Sequence, residues 1–552
     1  MNLPTRLSYF GVGITLFGLS TLLSACSTTA YKEKADAEAY GLIAEKTGQV
    51  EGMTEAVSIE PADALDLGVL PVGEESYEFL GDAADSEIDA AIINLDAALE
   101  TAFRHSRTYQ NQKERLYIQA LSLSIERHDF DPIFNGIVSG EHTWDQSSDF
   151  ENSVSGLTRF GVSKLMTTGG AIAVNLTSNF FRFVHGNGQE SASSALTGSI
   201  VQPLLRGAGR KVATENLIQA ERDLLYQLRD FTRFRKEFTV QVATSYYNVL
   251  RSKDTVSNNF DGLEGVIKFL DRERAYEREG LRTPGEVGEM ESNRLNRESG
   301  WTNSINRYQD NLDQFKILLG ISTDSHVILD DRDLKALETA DLSLPDLSVS
   351  EAIDIALVTR LDLETQINLI EDAERRIHVA TNGMKARLDL FTTADVPTKD
   401  GNRFTALDFN EAQYSFGFDV DIPFDRKARR NNFRISLINL EAAHRSASLS
   451  VDNMKLNVRS AWRNLEQAHR DYAIDQLNVE INRRRVEEKI LLSELGLGEI
   501  RDSVDAQNDL TLALTSLTGS LVQQRVALLQ FWRDLGVLYI NDNGQWEVPN
   551  DV

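Results

Sequence analysis

The sequence predicts an α+β membrane protein made of two internal repeats, each running helix, strand pair, long helix, turn, helix. Three observations predict this. The chain matches itself at a shift of about 216 residues, it holds two long proline-free helical stretches, and short alternating strands precede each of them. The turn EGLRTPGEVGEMESN near Gly280 superposes on LGLGEIRDSVDAQND near Gly496. The same shift matches Val242 to Val458, Tyr246 to Trp462, Asn248 to Asn464 and Leu319-Gly320 to Leu535-Gly536. One offset held over about 80 residues means matched helical hairpins with no insertion between them.

The leading residues are read as a targeting segment. Arg6 supplies a positive start, and an apolar stretch runs from about Leu7 to Leu23. It ends in Leu23-Ser24-Ala25-Cys26, which resembles the bacterial lipobox. That resemblance implies a signal peptide over 1–25, cleavage before Cys26 and acylation there; the following Ser27 favours the outer membrane. Cys26 is the only cysteine, so no intrachain disulfide can form. Residues 26–94 read as an acidic, mostly extended lipidated tether. No later segment carries eighteen consecutive apolar residues, so any membrane crossing must be a closed β-barrel.

The first repeat is placed at 95–346, the second at 347–540, and a short tail at 541–552. Leu95, Ala98, Leu99 and Ala102 match Val349, Ala352, Ile353 and Ala356, with spacings of three and four that share a helical face. Here the offset is about 254, so the first repeat carries about 38 extra residues. They fall between Phe130 and Pro203, where the pattern turns to β: Val174, Leu176 and Ser178 alternate with Asn175, Thr177 and Asn179. Ala195 to Leu204 reads as another strand. Lys385 to Val396 and Tyr414 to Phe424 form a pair in the second repeat, with Tyr414, Phe416 and Phe418 on one side and Ser415, Gly417 and Asp419 on the other. Such alternation fits a half-buried soluble sheet or a lipid-facing barrel strand. The extra segment, about Ser153 to Ser194, reads as barrel, surface loop or plug. Lys211 to Glu279 then spans roughly 100 Å if helical, with Asp261, Gly262 and Gly265 marking a break or girdle.

Four strands per chain, or six if the extra first-repeat segment also joins, cannot close a barrel, since about eight is the practical minimum. Several chains must contribute to one ring, and three would supply twelve strands. A net charge of −27 argues against nucleic acid as a partner. Eight scattered histidines, no HExxH and a single cysteine leave no catalytic or metal signature, so no enzyme activity and no cofactor are expected. Gly207-Ala208-Gly209 lacks the rest of a phosphate loop and reads as a strand-to-helix bend.

The duplicated unit, the strand ending Gln202-Pro203-Leu204-Leu205-Arg206-Gly207, the Gly280-Leu281 and Gly496-Leu497 turns, and Asp502-Ser503-Val504-Asp505-Ala506-Gln507 together resemble the TolC family of outer-membrane channels. The lipobox is similar to that of its lipid-anchored members. The resemblance implies a homotrimer: an outer-membrane β-barrel of four strands per chain, continued by a long periplasmic α-helical barrel. It implies a passive export duct fed by an inner-membrane pump through a periplasmic adaptor, with small-molecule efflux favoured over type I protein secretion. A lipid-tethered periplasmic coiled-coil scaffold without a pore is the reading from a different class.

Asp502 and Asp505 lie three apart and correspond to Glu286 and Glu289 of the first repeat. They match the family's acidic constriction, where rings of carboxylates would attract cations and raise one another's pKa values. Acids in a first helical turn also simply complement the helix dipole. Gly280, Leu281, Gly496 and Leu497 match the adaptor-contacting turns; a C-cap glycine with a packing leucine explains them equally. Gly498 stands where some members carry a basic gate residue, leaving Arg282 and Arg501 as candidates for that role.

Overall fold

The computed structural model describes residues 27–53, 56–61, 63, 65, 67–73, 77–144, 152–185, 190–340, 342–399, 404–495 and 497–547. Cys26 and Gly496 lie outside the described residues. The chain divides into two units. One takes the chain up to Gln49, Leu116–Leu228 and Thr365–Ala447; the other takes Val50–Arg115, Arg229–Glu364 and Ser448–Val552.

In chain order the elements are α1 (Thr28–Thr47), β1 (Ala91–Ile93), α2 (Leu95–His105), α3 (Arg107–His128), β2 (Ile133–Trp144), β3 (Asn152–Leu165), β4 (Ala171–His185) and β5 (Glu190–Pro203). Then come α4 (Arg210–Ala213), α5 (Glu215–Arg278), α6 (Pro284–Leu319), β6 (Val327–Leu329), α7 (Arg332–Thr339), α8 (Val349–Thr359) and α9 (Leu361–Gly383). The chain continues through β7 (Arg387–Pro397), β8 (Gln413–Asp421), α10 (Lys427–Glu494), α11 (Ile500–Leu535), β9 (Tyr539–Ile540) and β10 (Trp546–Glu547).

The first unit holds one antiparallel sheet in the order β2-β3-β4-β5-β7-β8. The expected four strands per chain are therefore corrected to six. The second repeat supplies the simple pair β7–β8, and the first supplies four strands. The additional strands lie where the two internal offsets disagree: β2 begins at Ile133 and β7 at Arg387, 254 positions later. The surplus is thus the hairpin β3–β4. Its Ser- and Gly-rich sequence blunted the alternation over 153–165 that would have marked β3.

Pro203 is the last residue of β5, and bonding to the β7 side continues just beyond it, with Leu204 N–H donating to the Leu388 carbonyl at 2.7 Å. Gly207 (φ +83°) and Gly209 (φ +93°) then turn the chain into α4, as the bend reading anticipated. The Asn382 side chain holds the bend, accepting from Gly207 N–H at 2.7 Å and donating to the Leu205 carbonyl at 3.1 Å. Over Thr28–Thr47 the mostly extended tether expected there is corrected to the helix α1. A stripe of Ala39, Leu42 and Ile43 is buried, Asp36 accepts from the Tyr117 hydroxyl at 2.5 Å, and Lys46 pairs with Glu221 at 3.1 Å.

The second unit carries the internal repetition as geometry. α6 ends at Gly320 (φ +85°) and α11 at Gly536 (φ +84°), both left-handed caps. A Cβ on Gly320 would strike the backbone of His105 at the end of α2. A Cβ on Gly536 would lie 2.9 Å from Thr359 Oγ1 at the end of α8. Tyr246 meets Phe315 at 5.9 Å and 65°, while Trp462 meets Phe531 at 5.5 Å and 64°. Two copies of one hairpin thus use one packing solution. Phe103, Tyr109 and Phe238 add a further cluster, with centroids 4.5 to 5.7 Å apart.

Gly262 and Gly265 do not break α5, which corrects the first of the two readings, break or girdle, offered for them. A Cβ on Gly262 would sit 2.7 Å from Thr511 Oγ1, and one on Gly265 would sit 3.5 Å from the Gln507 amide. They let α11 approach closely instead.

Replacing Gly320 with alanine combines left-handed strain with a backbone clash. It is expected to destabilise by more than about 2 kcal/mol, read as a lower thermal midpoint in the purified protein. Gly536→Ala should do the same, while Gly288→Ala, in open space within α6, should not.

Candidate functional site

The pairing register sorts the sheet into two faces. On one lie Phe134 and Val138 of β2, Phe160 and Val162 of β3, Val174 and Leu176 of β4, Leu196 and Ile200 of β5, Leu388 and Leu390 of β7, and Tyr414, Phe416 and Phe418 of β8. The three β8 aromatics are 72 to 77% exposed. Such exposure is unusual for large apolar side chains in water, and normal for a surface that meets lipid or a partner. The opposite face carries Asn135, Arg159, Ser163, Asn175, Thr177, Thr197, Ser199, Asp389, Asp395 and Asp419. Gly161 fits between Asn135 and Asn175, where a Cβ would collide with both amides. Phe391 is an aromatic on this polar face, its ring covering Gly417 of β8, where a Cβ would lie 2.8 Å from Cζ.

From Arg229 and Ser448 onward, in the other unit, α5 and α6 form the first helical hairpin and α10 and α11 the second. Gly280 (φ +72°) caps α5, its N–H donating to the Glu277 carbonyl at 2.9 Å while Leu281 N–H donates to the Tyr276 carbonyl at 2.9 Å. This double bond pattern is the glycine-capped helix end. Leu497 N–H repeats it, donating to the Leu492 carbonyl at 2.9 Å. In such caps the apolar residue after the glycine usually folds back onto the helix. Here Leu281 is 66% exposed and Leu497 76%, so neither is spent on packing.

The four acids divide by role. Glu286 closes a capping box: its carboxylate accepts from Thr283 N–H and from the Thr283 hydroxyl, each at 2.8 Å, and Thr283 Oγ1 accepts Glu286 N–H at 3.3 Å. Pro284 opens α6 at its first position, as its fixed φ suits. Asp502 accepts from the Lys489 ammonium at 2.8 Å. Glu289 and Asp505 both approach Arg501 Nε, at 3.9 and 4.0 Å. Arg501 therefore draws one acid from each repeat to a single guanidinium. Asp502 and Asp505, expected on one helical face, point to different cations.

The pKa directions follow. The backbone and hydroxyl bonds of Thr283 hold the Glu286 carboxyl below its usual range. The Lys489 ammonium does the same for Asp502. Both shifts oppose the rise expected from mutual repulsion, because each carboxylate has its own partner within the chain. Such groups keep their charge at neutral and mildly acid pH and lose it only as pH falls below the ordinary carboxylate range.

Beneath the turns, Val266, Leu270, Val287, Met290 and Val504 form one buried cluster with Phe269 against it. Val504 comes from the second hairpin and the rest from the first, so apolar burial ties the two together. Arg282 is committed to its own hairpin: its Nε donates to Glu273 Oε2 at 2.8 Å, and Glu273 is fully buried. Of the two candidate gate residues, only Arg501 stands exposed between acids of both repeats.

The sequence reading missed Lys489, Arg485 and Arg274. Lys489–Asp502 at 2.8 Å, Arg485–Asp509 at 2.6 Å and Arg274–Glu291 at 2.5 Å all join residues nearly equidistant from a turn. Folding the sequence back on itself at about Arg282-Thr283 and about Gly496 would have found them.

Among the described residues no helix is long and apolar enough to cross a membrane, and no group of three or more His, Cys, Asp or Glu side chains is placed to hold a metal. Solved structures match most of the chain. The CusC channel superposes with a TM-score of 0.59 at 13% identity, over 80% of this chain and 92% of its own. VceC from Vibrio cholerae gives 0.59 at 12%, over 80% and 96%. CmeC from Campylobacter jejuni gives 0.60 at 12%, over 89% and 95%. The fold is that of outer-membrane channels of the TolC type. No family model and no curated protein matches the sequence.

Removing the Arg282 guanidinium leaves the buried Glu273 with the longer approach of Arg272 Nε, at 3.5 Å. Arg282→Ala should weaken the first turn by about 2 kcal/mol, seen as faster amide exchange over residues 276–286. Arg501→Ala, which breaks only exposed contacts, should change exchange there by less than about 1 kcal/mol.

Proposed function

We propose that three copies of this chain form a passive export duct in the outer membrane of a Gram-negative cell, without chemistry of their own. The observation that carries this is the sheet: one face dominated by aliphatic and aromatic side chains, with the β8 aromatics widely exposed, and one face rich in Asn, Ser, Thr and Asp. Barrel strands that separate lipid from water need that division. It lies in a fold shared along most of the chain with the outer-membrane channels CmeC and VceC.

In this reading residues 1–25 are removed and Cys26 is acylated. Residues 26–94 lead into repeats at 95–346 and 347–540, followed by the 541–552 tail. The sheets of three copies close a barrel around their polar faces, and the long helices line a periplasmic passage. Leu281 and Leu497, with Gly280 and Gly496, offer apolar knobs to a periplasmic adaptor, through which an inner-membrane pump delivers small molecules. Glu286, Glu289, Asp502 and Asp505 make the entrance cation-attracting. Asp505 and Glu289 are the more available of the four, since Glu286 is engaged in a cap and Asp502 in an ion pair.

Purified protein in a planar bilayer should give discrete, cation-selective conductance, and Asp502→Asn/Asp505→Asn should lose most of the selectivity. Unaltered selectivity would move the narrowest point elsewhere. A folded trimer that never conducts, with Arg501→Ala included, would favour a scaffold without a pore. Cation selectivity should persist from pH 7 to pH 5, because hydrogen-bonded partners hold Glu286 and Asp502 ionised. Loss of selectivity across that range would mean that repulsion between copies overrides those partners. Leu281→Asp/Leu497→Asp should leave conductance and trimer intact while reducing export in cells by about tenfold, the loss of one apolar anchor's burial or more.

A further inference from the structure

We propose that the β3–β4 hairpin is a full-height part of the barrel wall, so that three copies close eighteen strands rather than twelve. This rests on the trimeric duct reading and specifies its widest part. The sheet order β2-β3-β4-β5-β7-β8 sets the hairpin between the strands that the internal correspondence would make direct neighbours, β2 and β5. It is hydrogen-bonded on both sides, to β2 over Ile133–Trp144 and to β5 over Glu190–Val201. A surface flap or a plug would have no such ladders.

The hairpin also carries the two-faced pattern of the other strands. Phe160, Val162, Val174 and Leu176 continue the apolar face, while Arg159, Ser163, Asn175 and Thr177 continue the polar one. Charges bound its apolar band at either end: Lys164 beside Ile172, and Arg182 against Glu190 at 3.7 Å. From Ile172 to Arg182 is about ten residues, which on a strand tilted by about 40° spans roughly 25 Å, the height of a hydrocarbon band. At one end the β3–β4 turn seats on the bend, with Gly209 N–H donating to the Thr168 carbonyl at 3.0 Å. Leu157, Leu165, Phe181 and Phe183 are large apolar exceptions on the hairpin's polar face.

The edges point to what completes the wall. Among the described residues β2 and β8 each pair on one side only. Every neighbouring pair is antiparallel and the count is even, so the two edge strands run in opposite directions. A second copy can therefore set its β2 against this β8 and continue an antiparallel sheet, with Phe134 and Val138 joining the face of Phe416 and Phe418. A hydrocarbon environment requires that closure, because open edges cannot stay unpaired there. Barrel diameter grows about linearly with strand number, so the wall would be about 1.5 times wider than a twelve-stranded one and hold an open aqueous lumen.

The test uses the full chain in liposomes, with the parent protein as the blank for Cys26. Ser415→Cys is combined in turn with Asn135→Cys, Ile137→Cys, Ser139→Cys and Glu141→Cys, which scan the polar face of β2. One combination should give oxidised bands of two and three chains on a denaturing gel. Ser139→Cys/Ser199→Cys should give no disulfide, since β3 and β4 intervene. Single cysteines at Ser163 and Asn175 should react with a water-soluble maleimide at least about tenfold faster than those at Val162 and Val174. A Ser139–Ser199 disulfide, or equal labelling of both hairpin faces in a trimer, would put the hairpin outside the wall and leave the duct standing. A monomer by native mass measurement would overturn both.

Discussion

An edge strand is a row of unspent hydrogen bonds, and the six-stranded sheet has two of them. β2 and β8 each offer backbone N–H and C=O groups along one side, and nothing within the described chain covers either. In water such edges invite aggregation; in hydrocarbon each unpaired group costs several kcal/mol. In the proposed trimer, the sheet's even strand count gives it a way to continue. The separation of faces depends on the same ladder, because register decides which side chain meets which solvent, and a slip of one residue would exchange them.

At the helical turns a different contest is settled by magnitude. The exposed ion pairs, Lys489–Asp502 and the approach of Arg501 to Glu289 and Asp505, are each worth little. The buried cluster of Val266, Leu270, Val287, Met290 and Val504 and the Arg282–Glu273 pair, with its carboxylate out of water, resist disruption far more strongly. Burial therefore holds the hairpins together, and the surface charges can be re-partnered without unfolding what lies beneath.

Much of this was legible in the sequence, and the failures have physical reasons. The repeat was visible because two hairpins solved one packing problem in one way, from Tyr246–Phe315 and Trp462–Phe531 to the caps at Gly320 and Gly536. The bend at Gly207 and Gly209 was visible because positive φ demands glycine. β3 was not, because Ser and Gly at its exposed positions mute the alternation that marks a strand. The glycines of α5 misled, since a glycine that admits a neighbouring helix looks in sequence like one that breaks its own. α1 was hidden by an acidic composition, although three apolar side chains at helical spacing were enough to seat it. The acids were found as a pattern, but their partners required folding the chain back on its turns.

The early formation of α1 changes what an acylated Cys26 would mean mechanically. Helix begins at Thr28 and is seated by Tyr117 and Glu221. A fatty acid attached two residues earlier would have almost no leash. It would act as a fixed pin rather than a mooring line, setting the depth at which its unit rides against the bilayer and resisting axial pull.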